Sequence, residues 1–143
     1  MRHNNERGTA LLEMALTLPL LLVVSIGIFE FGRAYQTQQV LTNAAREGAR
    51  VAVLPGQPAG AVQARVTAYA TAGQIYHPAD AAATVTPTLV SIGGGQTTSG
   101  SKVTVTYPYS FTVLQPVARL IVRNSTVGRA FTMTATAEMR NEQ

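Results

Sequence analysis

The sequence contains no cysteine and no tryptophan, and charged residues make up only 13% of its 143 positions. Without cysteine there is no disulfide framework, no thiolate metal site and no cysteine nucleophile. The few charges are unevenly chosen: eleven Lys and Arg include a single lysine, Lys102, and seven acids include a single aspartate, Asp80. Arginine therefore sets the net charge of +4. Arg33, Arg46, Arg50, Arg65, Arg119, Arg123, Arg129 and Arg140 form no run and are not interleaved with aromatics, so no nucleic-acid partner is expected. A chain of this length suits one ordinary domain and excludes a two-domain enzyme.

What the sequence does have is apolar residues gathered at one end. From Thr9 to Phe29 it reads TALLEMALTLPLLLVVSIGIF, with Glu13 as the only charge. As a helix this run spans about 30 Å, one hydrocarbon core, and it predicts a membrane-spanning segment. The preceding residues 1–8, MRHNNERG, are polar and carry Arg2 and Arg7, which predicts a cytoplasmic N-terminus and an exposed remainder. An ordinary cleaved secretory signal is disfavoured, because the run is long and no small-x-small site follows it.

Helical periodicity continues past the apolar run. Steps of 100° from Phe31 bring Ala34, Tyr35, Leu41, Ala45, Ala49 and Ala52 onto one stripe, with Val40, Ala44 and Val51 forming a thinner patch on the other side. One helix is predicted from about Thr9 to about Val53, ending before Pro55. The expected organisation is a cytoplasmic leader (1–8), a transmembrane half-helix (9–29), its amphipathic extension (30–54) and a small extracytoplasmic α+β domain (55–143). Within the last, an alanine-rich helix is expected from about Ala59 to Ala72, stopped by Gly73.

Three alternating segments predict strands: Thr84–Val90, demoted to an edge by Pro87; Lys102–Val113; and Ala130–Met139. Gly93 to Gly100 reads as a glycine-rich loop, and a short helical turn is expected around Val117 to Val122. The fold class is α+β, with about three antiparallel strands laid on the distal half of a long helical spine.

Glu13 is not explained by composition. A carboxylate inside an apolar helix is costly, so it either stays hydrated near the interface or finds a partner. Pro19 removes one helical hydrogen bond and predicts a kink, which serves either as a flexible point or as an ordinary tolerated membrane-helix proline.

The segment Gly8-Thr9-Ala10-Leu11-Leu12-Glu13 resembles the processing site of type IV pilin-like proteins, in which a short basic leader ends in glycine and the mature chain carries glutamate as its fifth residue. More closely, Arg7 to Ala52 is similar to the TadE-like domain of the tight-adherence (Flp, type IVc) pilus system. That similarity rests on Gly8, Glu13, Pro19, the apolar run, the Glu30 to Arg33 junction and Asn43-Ala44-Ala45-Arg46-Glu47-Gly48-Ala49-Arg50.

The resemblance implies a minor pilin-like subunit, cut by a prepilin peptidase between Gly8 and Thr9. It would contribute to assembly of a pilus used in adhesion or secretion. Its implied partners are that peptidase, other pilin-like subunits through the N-terminal helix, the inner-membrane assembly platform and the lipid bilayer. The implied location is the bacterial cytoplasmic membrane, with the C-terminal domain outside and possible incorporation in an extracellular pilus. Glu13 would pair with the new amine of Thr9, within one turn on the same chain or on a neighbouring helix. Met14 stands where major Flp pilins carry tyrosine, which favours a minor over a major subunit.

Other readings are weaker. His77-Pro78-Ala79-Asp80 lacks a third ligand and reads as a solvated loop. Gly95 to Lys102, GQTTSGSK, has the wrong residue order and context for a phosphate loop. No metal, cofactor or catalysis is expected. The alternatives kept are an unprocessed bitopic scaffold of the secretion apparatus, the main subunit of a pilus-like filament, and an envelope enzyme or binding module built on the sheet.

Overall fold

A computed structural model describes residues 3–58 and 60–141. Met1 and Arg2 of the expected leader, and Ala59 at the expected start of the second helix, lie outside the described residues. The elements in chain order are α1 (His3–Ala52), α2 (Ala61–Ala72), a 3-10 turn (Pro78–Asp80), β1 (Ala82–Gly93), β2 (Gln96–Tyr109), α3 (Leu114–Ile121) and β3 (Phe131–Arg140). This is the α+β arrangement expected, with a three-stranded antiparallel sheet in the order β1-β2-β3. The chain divides into two compact units, residues 1–33 with 111–129 and residues 34–110 with 130–143, and α1 contributes to both.

In the unit formed by 34–110 and 130–143, the distal part of α1 buries Ala34, Thr37, Leu41, Ala44, Gly48 and, beside them, Ala45 and Ala49. The first five succeed one another by three or four residues, the spacing of a helix seam. This corrects the expected stripe: Tyr35 is 68% exposed, whereas Ala44, assigned to the opposite patch, is fully buried. The expectation was anchored on the largest side chains, but the packing selects the smallest, because the helix backbone lies close to its neighbours. A Cβ on Gly48 would stand 2.9 Å from Val66 Cγ2 of α2 and 3.3 Å from Val103 Cγ1 of β2. Leu41, Val66, Val103 and Val105 are fully buried around this approach, each contributing about 1.5–3 kcal/mol by leaving water.

α2 ends at Ala72 as expected, but Gly73 is not its left-handed stop: φ is −77° there and the positive φ falls on Gln74. Gly73 is required by proximity instead, since a Cβ would meet Val40 Cγ1 at 2.5 Å. Three hydrogen bonds fasten the helices to the sheet and the residues just before it. The Gln63 amide of α2 donates to the Ala81 carbonyl and accepts from the Ala83 N–H at the start of β1, and Gln38 of α1 donates to the Thr134 carbonyl of β3.

β1 is an edge strand carrying Pro87, as expected. β2 differs from its expected range at both ends. Its N-terminal end extends back to Gln96, because the connection is only a tight turn through Gly93, Gly94 and Gly95, all with positive φ. Its C-terminal end is Tyr109, so Phe111 and Val113 leave the strand. Within it the alternation holds: Val103, Val105, Tyr107 and Tyr109 are buried, with Met133 and Ala135 of β3 on the same face. The opposite face carries threonines and the cross-strand pair Lys102–Glu138 at 3.2 Å.

Gly48→Val is expected to lower unfolding stability by about 1–3 kcal/mol through overpacking against Val66 and Val103. Denaturant unfolding of the detergent-solubilised chain, followed by β-sheet circular dichroism, measures it.

Candidate functional site

The residues singled out from the sequence all lie on α1. The helix starts at His3, earlier than the expected Thr9, so the Gly8–Thr9 bond is inside it. Gly8, Thr9 and Glu13 are exposed, and no atom outside the local helix backbone lies within 4 Å of a Cβ built on Gly8. Thr9 and Glu13 are four residues apart and share a helix face. A glycine inside a helix costs about 1 kcal/mol relative to alanine, so the turn around the Gly8–Thr9 bond is among the easier ones to unwind. The Thr17 hydroxyl donates back to the Glu13 carbonyl at 2.9 Å. Pro19 lies within α1 without ending it.

Around these residues the helix is apolar on every side. Leu11, Leu12, Leu16, Leu20 and Leu21 are all more than 60% exposed, and the helix is long and apolar enough to cross a membrane. Such a surface suits lipid or other helices around it.

At the end of the apolar run, the unit formed by 1–33 and 111–129 contains an arrangement to which sequence reasoning gave no role. Glu30 is only 3% exposed. Its Oε2 accepts the backbone N–H of Thr112 at 2.8 Å, and its Oε1 lies 3.6 Å from Arg33 Nη1. Arg33 donates in turn to the Thr112 hydroxyl at 3.0 Å, and the rings of Phe31 and Phe111 meet edge to face at 5.7 Å. One acid thus compensates a backbone donor just before α3 and is itself balanced by an arginine one turn away. The available signal was an acid closing an apolar run with arginine three residues later. What could not be read from it was the identity of the partner, 82 residues away.

In the other unit, Glu47 accepts from Arg65 of α2 at 2.8 Å and lies 3.6 Å from Arg50. The Arg65 hydrogen bond, against an opposing desolvation and aided by the charge of Arg50, holds the Glu47 carboxyl below its usual 4.5. A depressed carboxylate pKa stabilises the fold above its unfolded value. This contribution is lost as pH falls below about 4.5 and through the folded value. Glu47 is therefore engaged within the chain, joining α1 to α2. An open depression of about 800 Å3 adjoins Glu47, Arg50, Arg65 and Arg140. His77 and Asp80 are exposed on the 3-10 turn and do not line it. Among the described residues no group of three or more His, Cys, Asp or Glu converges.

Glu30→Ala is expected to leave the Thr112 N–H without its acceptor, costing about 1–3 kcal/mol locally. Amide hydrogen exchange should accelerate at Thr112 while β2 and β3 keep their protection.

No curated protein and no solved structure matches the chain. Residues 8–50 match the family model described as TadE-like protein, a match that begins at Gly8, includes Glu13, Pro19, Glu30 and Glu47, and stops before α2. Over this segment, about a third of the chain, the protein is similar to the TadE-like family.

Proposed function

We propose that this chain is a minor pilin-like structural subunit whose residues 1–8 are removed by a prepilin peptidase between Gly8 and Thr9. The new N-terminus and Glu13 then fix its register among neighbouring pilin-like helices. The observation that carries this reading is the placement of Glu13, the single charge between Thr9 and Phe29, one helical turn from Thr9 on an exposed and otherwise uncharged stretch of α1.

Cleavage at that bond converts a backbone amide into an ammonium. Placed beside a carboxylate in a low-dielectric seam, the ammonium offsets part of the desolvation that either charge suffers alone. Because the two groups are fixed on rigid helices, the pairing also selects one axial offset between subunits. Pro19, six residues further on, removes a helical hydrogen bond where the subunit would have to adapt from bilayer to filament. The peptidase, other pilin-like subunits and the inner-membrane assembly platform are the partners of this scheme. The chain acts in it as substrate and building block, with its N-terminus in the cytoplasm and its sheet-bearing unit outside.

Glu13→Ala should insert into the membrane at least as well as the native chain, since a charge costing about 2.5–3.5 kcal/mol in a helix centre has been removed. It should nevertheless be lost from sheared pili. Immunoblots of membrane and pilus fractions measure both, and normal incorporation of the variant would refute the pairing role.

A further inference from the structure

The segment that Glu30 holds has a surface not explained by the role of α1. Leu120 is 85% exposed, the highest exposure among the described large apolar side chains, and Val113, Val122 and Val127 are exposed at 40%, 57% and 55%. Interspersed with them are Arg119, Arg123 and Arg129, all exposed. No acid occurs from Phe111 to Arg129, and among the described residues none of these three arginines has an ion-pair partner. Exposed aliphatic side chains mixed with unpaired arginines suit the headgroup layer of an anionic bilayer, which offers acyl chains and phosphates together.

The position of the segment agrees with that partner. The run from Thr9 to Phe29 is about one hydrocarbon thickness long, so Glu30 marks the depth at which the helix leaves the acyl region. Thr112 is hydrogen-bonded to Glu30, and Phe111 is stacked on Phe31. The chain beyond Thr112 therefore starts at the level of the headgroups. A second copy of this chain is a poorer partner. Outside the apolar run, the acids with described side chains are Glu30, Glu47, Asp80 and Glu138, and all but Asp80 are already in ion pairs.

We infer that residues 113–129 form an interfacial foot that docks on anionic phospholipid headgroups at the membrane exit of α1, with Leu120, Val122 and Val127 entering the interface and Arg119, Arg123 and Arg129 contacting phosphate. This rests on α1 crossing the bilayer, and it is independent of processing at Gly8.

The absence of cysteine makes the test direct. Leu120→Cys and Leu21→Cys within the apolar run are each labelled with a polarity-sensitive fluorophore. The full chain is then reconstituted in phosphatidylcholine vesicles with or without phosphatidylglycerol, containing lipids that carry a quencher near the headgroup or deep in the acyl chain. The label at 120 should be quenched by the shallow quencher, more strongly in anionic vesicles, while the label at 21 responds to the deep quencher. Arg119→Gln, Arg123→Gln and Arg129→Gln together should lower the docked-to-free ratio on the order of a hundredfold, about fivefold per arginine.

Quenching at 21 with none at 120 would overturn the foot while leaving the spanning helix intact. An emission shift at 120 that follows protein density, without lipid quenching, would overturn it in favour of self-association. No quenching at 21 would overturn its premise, a bilayer-crossing α1.

Discussion

The structure depends on one constraint: a single helix, α1, must satisfy two different surroundings along its length. From Thr9 to Phe29 its surface is apolar on all sides, so neither a water-facing stripe nor a protein-facing stripe is defined there. From Ala34 onward it offers a narrow seam of small residues against which α2 and the sheet can pack at backbone distance. The change takes place within about one turn, at Glu30 to Arg33. Every later element answers one half of this division. The sheet supplies Val103, Val105, Tyr107 and Met133 to one seam, α2 supplies Val66 and Ala70, and the 111–129 segment is tied to the end of the apolar run.

The charges follow the same division. Among the acids with described side chains, most are used internally: Glu30 on a backbone amide and Arg33, Glu47 on Arg65 and Arg50, Glu138 on Lys102. Glu13 differs because it is an exposed acid in the middle of a surface that must lose water. Exposed ion pairs such as Lys102–Glu138 contribute little to stability, and Glu13 would contribute nothing to the isolated chain. The partner proposed for it lies outside the chain, on a neighbouring pilin-like helix. This is why the TadE-like match over residues 8–50 and the proposed pairing bear on the same residue.

Much of this organisation was legible in the sequence because it rests on local periodicity. The apolar run, the alternation of Val103 to Tyr109 and of Phe131 to Ala137, and the edge position implied by Pro87 each express a rule about nearest neighbours. The features that were not legible depend on partners distant in the chain. The buried stripe of α1 was read correctly at Ala34, Leu41, Ala45 and Ala49, but stepping from Phe31 placed Tyr35 inside and Ala44 outside, whereas close approach to Val66 and Val103 sets the seam at Gly48. Gly73 caps α2 as read, but its close approach to Val40 of α1 was not visible from the sequence. Phe111 and Val113 continue the alternating pattern perfectly, yet they leave β2, and Thr112 between them gives its N–H to Glu30. For the candidate site, Glu13 and Pro19 stood out as a charge and a proline inside an apolar run and Gly8 through the family resemblance, and the clasp at Glu30 was not visible, because its acceptor and donor are 82 residues apart.

The central claim is that the Gly8–Thr9 bond is cut and that the mature subunit begins at Thr9. Intact-mass spectrometry of the chain extracted from cells with an active prepilin peptidase, beside cells with the peptidase inactivated, tests it most directly. The account predicts a species lacking residues 1–8 in the first and the full-length mass in the second. A chain that keeps residues 1–8 while the peptidase is active would contradict it and identify an unprocessed membrane scaffold instead.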